Sequence, residues 1–121
     1  MMKRDMDLAR DILFKLEDKN NPMEALKYRR EGYSDVEVSY HIKLLNEAGL
    51  IHAIDASSAA GLTWFAMHLT WEGHEFIELA RSDSGWQKSL ATAKEKAGGL
   101  SFDLIKRLLF KVAEAAIFGG T

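Results

Sequence analysis

Cysteine is absent from the 121 residues. That excludes disulfide frameworks, thiolate zinc sites and cysteine nucleophiles. Proline occurs once and glycine nine times, too rarely for a collagen-like or proline-rich disordered chain. No apolar run approaches the roughly 18–20 residues that cross a bilayer, and the most apolar stretch, Leu108 to Phe118, is broken by Lys111 and Glu114. The opening MMKRDMDLARDILF has basic residues, but Asp5, Asp7 and Asp11 interrupt the apolar core that a secretory signal needs. The cytoplasm is the expected compartment, with no membrane partner. An excess of one charge is also missing. Lys and Arg number 16 against 18 Asp and Glu, a net charge of −2, unlike a histone-like or arginine-rich binder. H-E-x-x-H, G-x-S-x-G, Walker loops and G-x-G-x-x-G do not occur. No enzyme, cofactor or metal is therefore expected.

What is present is an ordinary globular balance, 47% hydrophobic and 28% charged. A chain of this length buries a core without covalent staples. Residues 3–19 read as a helix with Ala9, Ile12, Leu13 and Leu16 on one face, stopped by Asn20, Asn21 and Pro22. The acidic residues near its start suit the positive helix end. Residues 23–33 leave two options, a short strand around Ala25 to Tyr28 or a weak helical turn. Residues 34–48 give the clearest helix. Ser34 and Glu37 form a capping box, Val38, Ile42 and Leu45 an inner stripe beside His41, and Gly49 a left-handed stop. Residues 50–56 and 62–69 read as antiparallel strands joined through SSAAG, with His52 and His68 able to sit opposite each other. Thr70 can cap a helix at 71–81, whose Gly73 permits a close approach. Trp86, Leu90, Ala93 and Ala97 mark another helix, turned at Gly98 and Gly99. Ser101 caps a last one over 102–118, ended by Gly119 and Gly120. Trp71 and Trp86 are expected in the core. The fold class is mainly α with a small antiparallel hairpin.

The segment YHIKLLNEAGLI followed by a hairpin and LTWEGHEFIEL resembles the winged-helix branch of helix-turn-helix proteins. The first piece resembles the end of a recognition helix, and the second the L-T-x-x-G segment that leaves the wing. The opening MKRDMDLARDILFKLE and closing SFDLIKRLL extend the similarity to a family of small bacterial and prophage winged-helix proteins without an established activity. The resemblance implies a winged-helix domain over residues 1–81, a helical extension over 82–121, and a regulator that binds double-stranded DNA. In that reading Ser39, Tyr40 and Lys43 face the DNA, and Lys27, Arg29 and Arg30 hold phosphates. The scaffold helix that precedes a recognition helix has no good counterpart in residues 23–33.

Charge opposes the DNA reading. Residues 34–81, which hold the recognition-like helix and wing, carry 2 basic and 7 acidic side chains. DNA affinity rests largely on phosphate neutralisation. A protein-interaction adaptor of the same fold is the alternative. The last helix is apolar around most of its circumference, and such a helix seeks contacts on all sides. A homodimer through the terminal helices is expected, with Phe14, Leu104, Leu108, Phe110, Ile117 and Phe118 at the interface.

Overall fold

The structure, a computed structural model, describes residues 3–97 and 101–118. The expected turn at Gly98 and Gly99, the stop at Gly119 and Gly120 and the side chain of Ala97 lie outside the described residues. Five helices and a two-stranded antiparallel hairpin follow in the order α1 (Met6–Glu17), α2 (Asp35–Glu47), β1 (Ile51–Asp55), β2 (Trp64–Leu69), α3 (Trp71–Ala80), α4 (Asp83–Ala97) and α5 (Phe102–Phe118). The mainly helical class with a small hairpin is as the sequence implies. Two compact units divide between His74 and Glu75, within α3.

In the first unit α1 is shorter at both ends than its apolar pattern suggests. Asp5 supplies the reason at the start. Its carboxylate accepts from the backbone N–H groups of Asp7 at 3.0 Å and Leu8 at 3.1 Å, satisfying two of the free donors of the first turn. The expected stripe is buried, with Leu8 and Met6 added to it. The chain then runs to Ser34 without helix or strand. Leu26 N–H donates to Ala66 O at 2.8 Å, so the chain passes beside β2 there. Neither the short strand around Ala25 to Tyr28 nor the weak helical turn is formed.

Helix α2 begins at the capping box. Ser34 Oγ accepts from Glu37 N–H, and the Glu37 carboxylate accepts from Ser34 N–H. Its end is a Schellman turn: Leu50 N–H reaches Leu45 O, Gly49 N–H reaches Asn46 O, and Gly49 holds φ at 79°. The strands pair Ile51 with Leu69 and Asp55 with Trp64, with an irregularity between His52 and Ala53. At that irregularity Asn46 Oδ1 accepts from Ala53 N–H at 3.0 Å, so α2 anchors the strand where the ladder breaks. Ile12, Leu13, Val38, Ile42, Leu45, Ile51, Ala66 and Leu69 close the core of this unit.

Thr70 turns the chain into α3. Its hydroxyl donates to Gly49 O at 2.6 Å and accepts from Gly73 N–H at 3.1 Å. Gly73 brings the helix against the backbone of Leu50, as the sequence suggests, and a Cβ there would stand 2.0 Å from Leu50 O. Trp71 corrects an expectation. It is 77% exposed rather than in the core, because the inward stripe of Gly73, Phe76, Ile77 and Ala80 lies on the opposite side of the helix.

In the second unit Ser82 Oγ accepts from Gly85 N–H to cap α4, and Ser101 Oγ accepts from Leu104 N–H to cap α5. Trp86 is fully buried, its ring edge-on to Phe76, and Phe102 lies against the same Phe76 ring at 5.0 Å. Ile105 and Leu109 complete the core from α5.

Gly73→Ala places a methyl group against backbone that cannot rotate away. Overpacking of this kind costs about 1–3 kcal/mol, more than offsetting the helix propensity that alanine gains. Chemical unfolding followed by circular dichroism should show that loss. Gly85→Ala should change stability by less than about 1 kcal/mol, since the closest atom to its new Cβ, at 3.2 Å, belongs to the Val112 side chain.

Candidate functional site

The outward face of α2 and the groove beside it carry the residues singled out in the sequence. Ser39 does not face outward. It is 8% exposed, and its hydroxyl accepts from Trp64 N–H at 3.2 Å, fixing the start of β2 on the helix. The expected outward position of Ser39 is therefore corrected. The hairpin covers the flank of α2 as well as its inner stripe, and this widens the buried arc by one position. Tyr40 and Lys43 are half-buried. The Lys43 ammonium pairs with Glu47 at 2.8 Å and lies 6.0 Å from the centre of the Tyr40 ring. That carboxylate, with Asp55 more distant, raises the Lys43 pKa. The polar readers expected on this face thus reduce to one tyrosine and one lysine already paired to an acid.

Beside α2 lies an open groove of about 1030 Å³. One wall is residues 24–29, another is Asp35, Val38, Ser39 and Ile42 of α2, and the third is Leu62–Phe65 at the entry to β2. Its apolar contributors include Leu26, Leu62 and Phe65, the last 43% exposed. The exposed Lys27 and Arg29 alternate with the half-buried Leu26 and Tyr28, the alternation of an extended edge. Arg30 is also exposed and holds its guanidinium 5.4 Å from the centre of the Tyr33 ring. The three basic residues named from the sequence therefore lie together along one wall or at its end.

This wall has no ladder of its own. Two tyrosine–aspartate hydrogen bonds hold it to α1. Tyr28 Oη donates to Asp11 Oδ2 at 2.5 Å, and Tyr33 Oη donates to Asp5 Oδ2 at 2.6 Å. Burial and the adjoining Asp11 carboxylate push the Tyr28 phenol upward, so it stays a donor at neutral pH. Burial raises the Asp5 carboxyl, but hydrogen bonds from Tyr33, Leu8 and Asp7 together bring it below its ordinary value. The backbone of Asp5 makes a further link. Its N–H donates to His41 Nε2 at 2.8 Å, while His41 Nδ1 meets Glu37 O at 2.8 Å. A backbone N–H only donates, so Nε2 is the acceptor and Nδ1 carries the hydrogen. His41 is packed and fully used, as its place beside the inner stripe suggests. The sequence carries no signal for these polar links; two aspartates spaced six apart and two tyrosines spaced five apart form no recognisable motif.

Elsewhere in the first unit the His52 and His68 rings stack at 5.3 Å on paired positions of the hairpin, the opposition that strand spacing suggests. Among the described residues no group of three or more His, Asp or Glu is arranged to hold a metal ion. Among them, too, no helix is long and apolar enough to cross a membrane. Phe14 lies beneath the Arg10 guanidinium, 4.7 Å from its ring centre. In the second unit Leu104 and Leu108 are half-buried, while Phe110, Ile117 and Phe118 are exposed.

Tyr33→Phe removes one donor from the Asp5 carboxylate and should cost about 1 kcal/mol at neutral pH, the low end for a bond to a charged group because both partners are partly exposed. A carboxyl lowered by folding contributes stability above its unfolded pKa and loses it as pH falls through the folded value. The difference between the parent and Tyr33→Phe should therefore persist at neutral pH and shrink below about pH 4, the ordinary carboxylate range. Urea unfolding across pH reads both limits.

Comparison with known proteins gives the chain its relatives. Residues 3–100 match the family described as "Hypothetical protein (DUF2513)". An "Uncharacterized protein" of Haemophilus influenzae is 44% identical over 108 residues, covering 88% of this chain and 92% of its own. No solved structure matches the chain. The family match spans most of the sequence and the bacterial relative is similar across nearly its full length; the chain belongs to the DUF2513 family.

Proposed function

We propose that the chain is a non-enzymatic, winged-helix-like binding module that docks an extended polypeptide in the groove between residues 24–29, α2 and the start of β2. The order α1, extended edge, α2, hairpin, α3 supports the winged-helix likeness, with the extended edge where a scaffold helix would stand. The groove itself carries the reading. It has an apolar lining of Leu26, Val38, Ile42, Leu62 and Phe65, room for side chains, and Lys27 and Arg29 along one wall, with Glu24 and Asp35 also on the lining. Such a surface fits a segment with apolar anchors and an acidic residue next to them, the anchors supplying affinity and the charges register.

A DNA-binding regulator is the second reading, favoured by the exposed row of Lys27, Arg29 and Arg30. Against it, α2 presents Asp35, Glu37 and Glu47 with Lys43 paired, and Asp55 lies at the end of the strand that follows. A helix entering the major groove meets two rows of phosphates, and this one brings more negative charge than positive.

Two titrations separate the readings. Fluorescence anisotropy with duplex DNA of mixed sequence should show no steep loss of binding between about 50 and about 200 mM salt, because few phosphates are neutralised. A displayed peptide library should yield apolar–acidic peptides that bind the parent and lose about tenfold or more on Phe65→Lys, a change of roughly 1.4 kcal/mol. That site is exposed, so the fold should survive. Strong salt-dependent DNA binding weakened by Lys43→Ala and by Lys27→Ala would contradict the proposal and favour the regulator.

A further inference from the structure

The second unit carries a feature that the groove of the first does not use. Helix α5 buries Ile105 and Leu109 on one side. On the opposite side Arg107, Phe110, Lys111, Glu114 and Phe118 fall at i, i+3, i+4, i+7 and i+11, so they form one continuous stripe. Phe110 and Phe118 on it are 55% and 72% exposed. A shallow groove of about 520 Å³ lies at its N-terminal half, lined by Leu79, Asp103, Lys106, Arg107, Phe110 and Lys111. The stripe is thus asymmetric. Its first half has a socket and mostly positive charge, and its second half has a projecting aromatic and Glu114.

We infer that α5 pairs antiparallel with α5 of a second copy, in the register that sets residue 107 opposite 118 and residue 111 opposite 114. Two unrelated features select the same register. Seating Phe118 of one chain over the socket centred near Arg107 requires paired residue numbers to total 225. Opposing Lys111 to Glu114 requires the same total. An antiparallel pair repeats every contact across its dyad, so the arrangement makes two aromatic-in-socket contacts and two ion pairs. The ion pairs lie about 2 Å on either side of the crossing point and the aromatic contacts about 8 Å away, at 1.5 Å rise per residue. The socket suits an aromatic visitor. The stems of Lys106 and Arg107 are apolar and their heads remain in water, and a guanidinium beside an aromatic face adds an attractive contact. This gives the expected terminal-helix dimer one seam. Phe110 and Phe118 belong to it, Ile117 borders it, and Leu104 and Leu108 flank it from the inner side. The seam stands independently of the groove in the first unit.

Sedimentation equilibrium of the full chain tests it. One helix per protomer is a small interface, so a dissociation constant on the order of 10 µM is expected. Phe118→Ala changes an exposed residue and should weaken the dimer about tenfold. Lys111→Glu and Glu114→Lys should each weaken it, and the double variant should restore it, because the exchange rebuilds both pairs with signs reversed. A chain that stays monomeric to about 300 µM, a range that covers weak complexes, would overturn the inference. So would a dimer indifferent to Phe118→Ala, or two charge variants whose combination is no better than either alone. Circular dichroism of each variant confirms that helix content is retained.

Discussion

The hydrogen bond from Asp5 N–H to His41 Nε2 is the joint on which the arrangement of the first unit depends. A single residue there serves three elements. The Asp5 carboxylate caps α1, its second oxygen receives the Tyr33 hydroxyl at the end of the irregular segment, and its backbone N–H is received by α2. The first residues of a helix have donors without partners inside the helix. Here those donors and their neighbour become the means of assembly. Because His41 also spends Nδ1 on Glu37 O, its ring has one orientation and one tautomer, and the approach of α1 to α2 is set accordingly. The wall of the groove follows from this. A stretch from Lys19 to Tyr33 with neither helix nor strand holds its position through Tyr28 on Asp11, Tyr33 on Asp5 and Leu26 on Ala66.

What the sequence made legible was local. The capping box at Ser34 and Glu37, the left-handed Gly49, the serine cap at Ser101 and the close approach at Gly73 each depend on residues within a few positions or on a single backbone requirement. All four are present in the structure. The inward stripes of α1 and α3 follow from periodicity in the same way. The polar links were illegible because they join residues 17 to 36 positions apart and leave no periodic trace. Ser39 departs from its expected place for another reason. A helix packed on one neighbour hides a narrow arc, but α2 meets both strands and α1, and its buried arc takes in a serine that the stripe omits. Trp71 illustrates preference for size over position. Its bulk suggested a core residue, although its spacing from Gly73, Phe76 and Ala80 already assigned it the outer side.

The charge balance acquires a location. The acids of the middle of the chain do not simply point away from the helix that resembles a DNA reader; Glu47 holds its lysine, and Asp35 and Glu37 occupy its first turn. The acids at the first turn are stabilising for the helix through its dipole and cap, so helix stability and phosphate attraction compete for the same positions. The cations of residues 27–30 instead border an apolar groove. Under the proposed function, that basic edge beside apolar lining takes an acidic, partly hydrophobic segment rather than a polyanion that must be neutralised along its length. The seam proposed along α5 lies in the second unit, so it can be altered separately from the groove.

The Asp5 backbone and the His41 ring join α1 to α2. The tautomer of His41 tests this link most directly. Long-range proton–nitrogen spectra of the labelled full chain, taken where the ring is neutral, distinguish a protonated nitrogen from one with a lone pair. The account predicts that Nδ1 carries the hydrogen and that Nε2 is bare and coupled through its hydrogen bond to Asp5 N–H. An Nε2–H tautomer, or a ring exchanging between both forms, would contradict it.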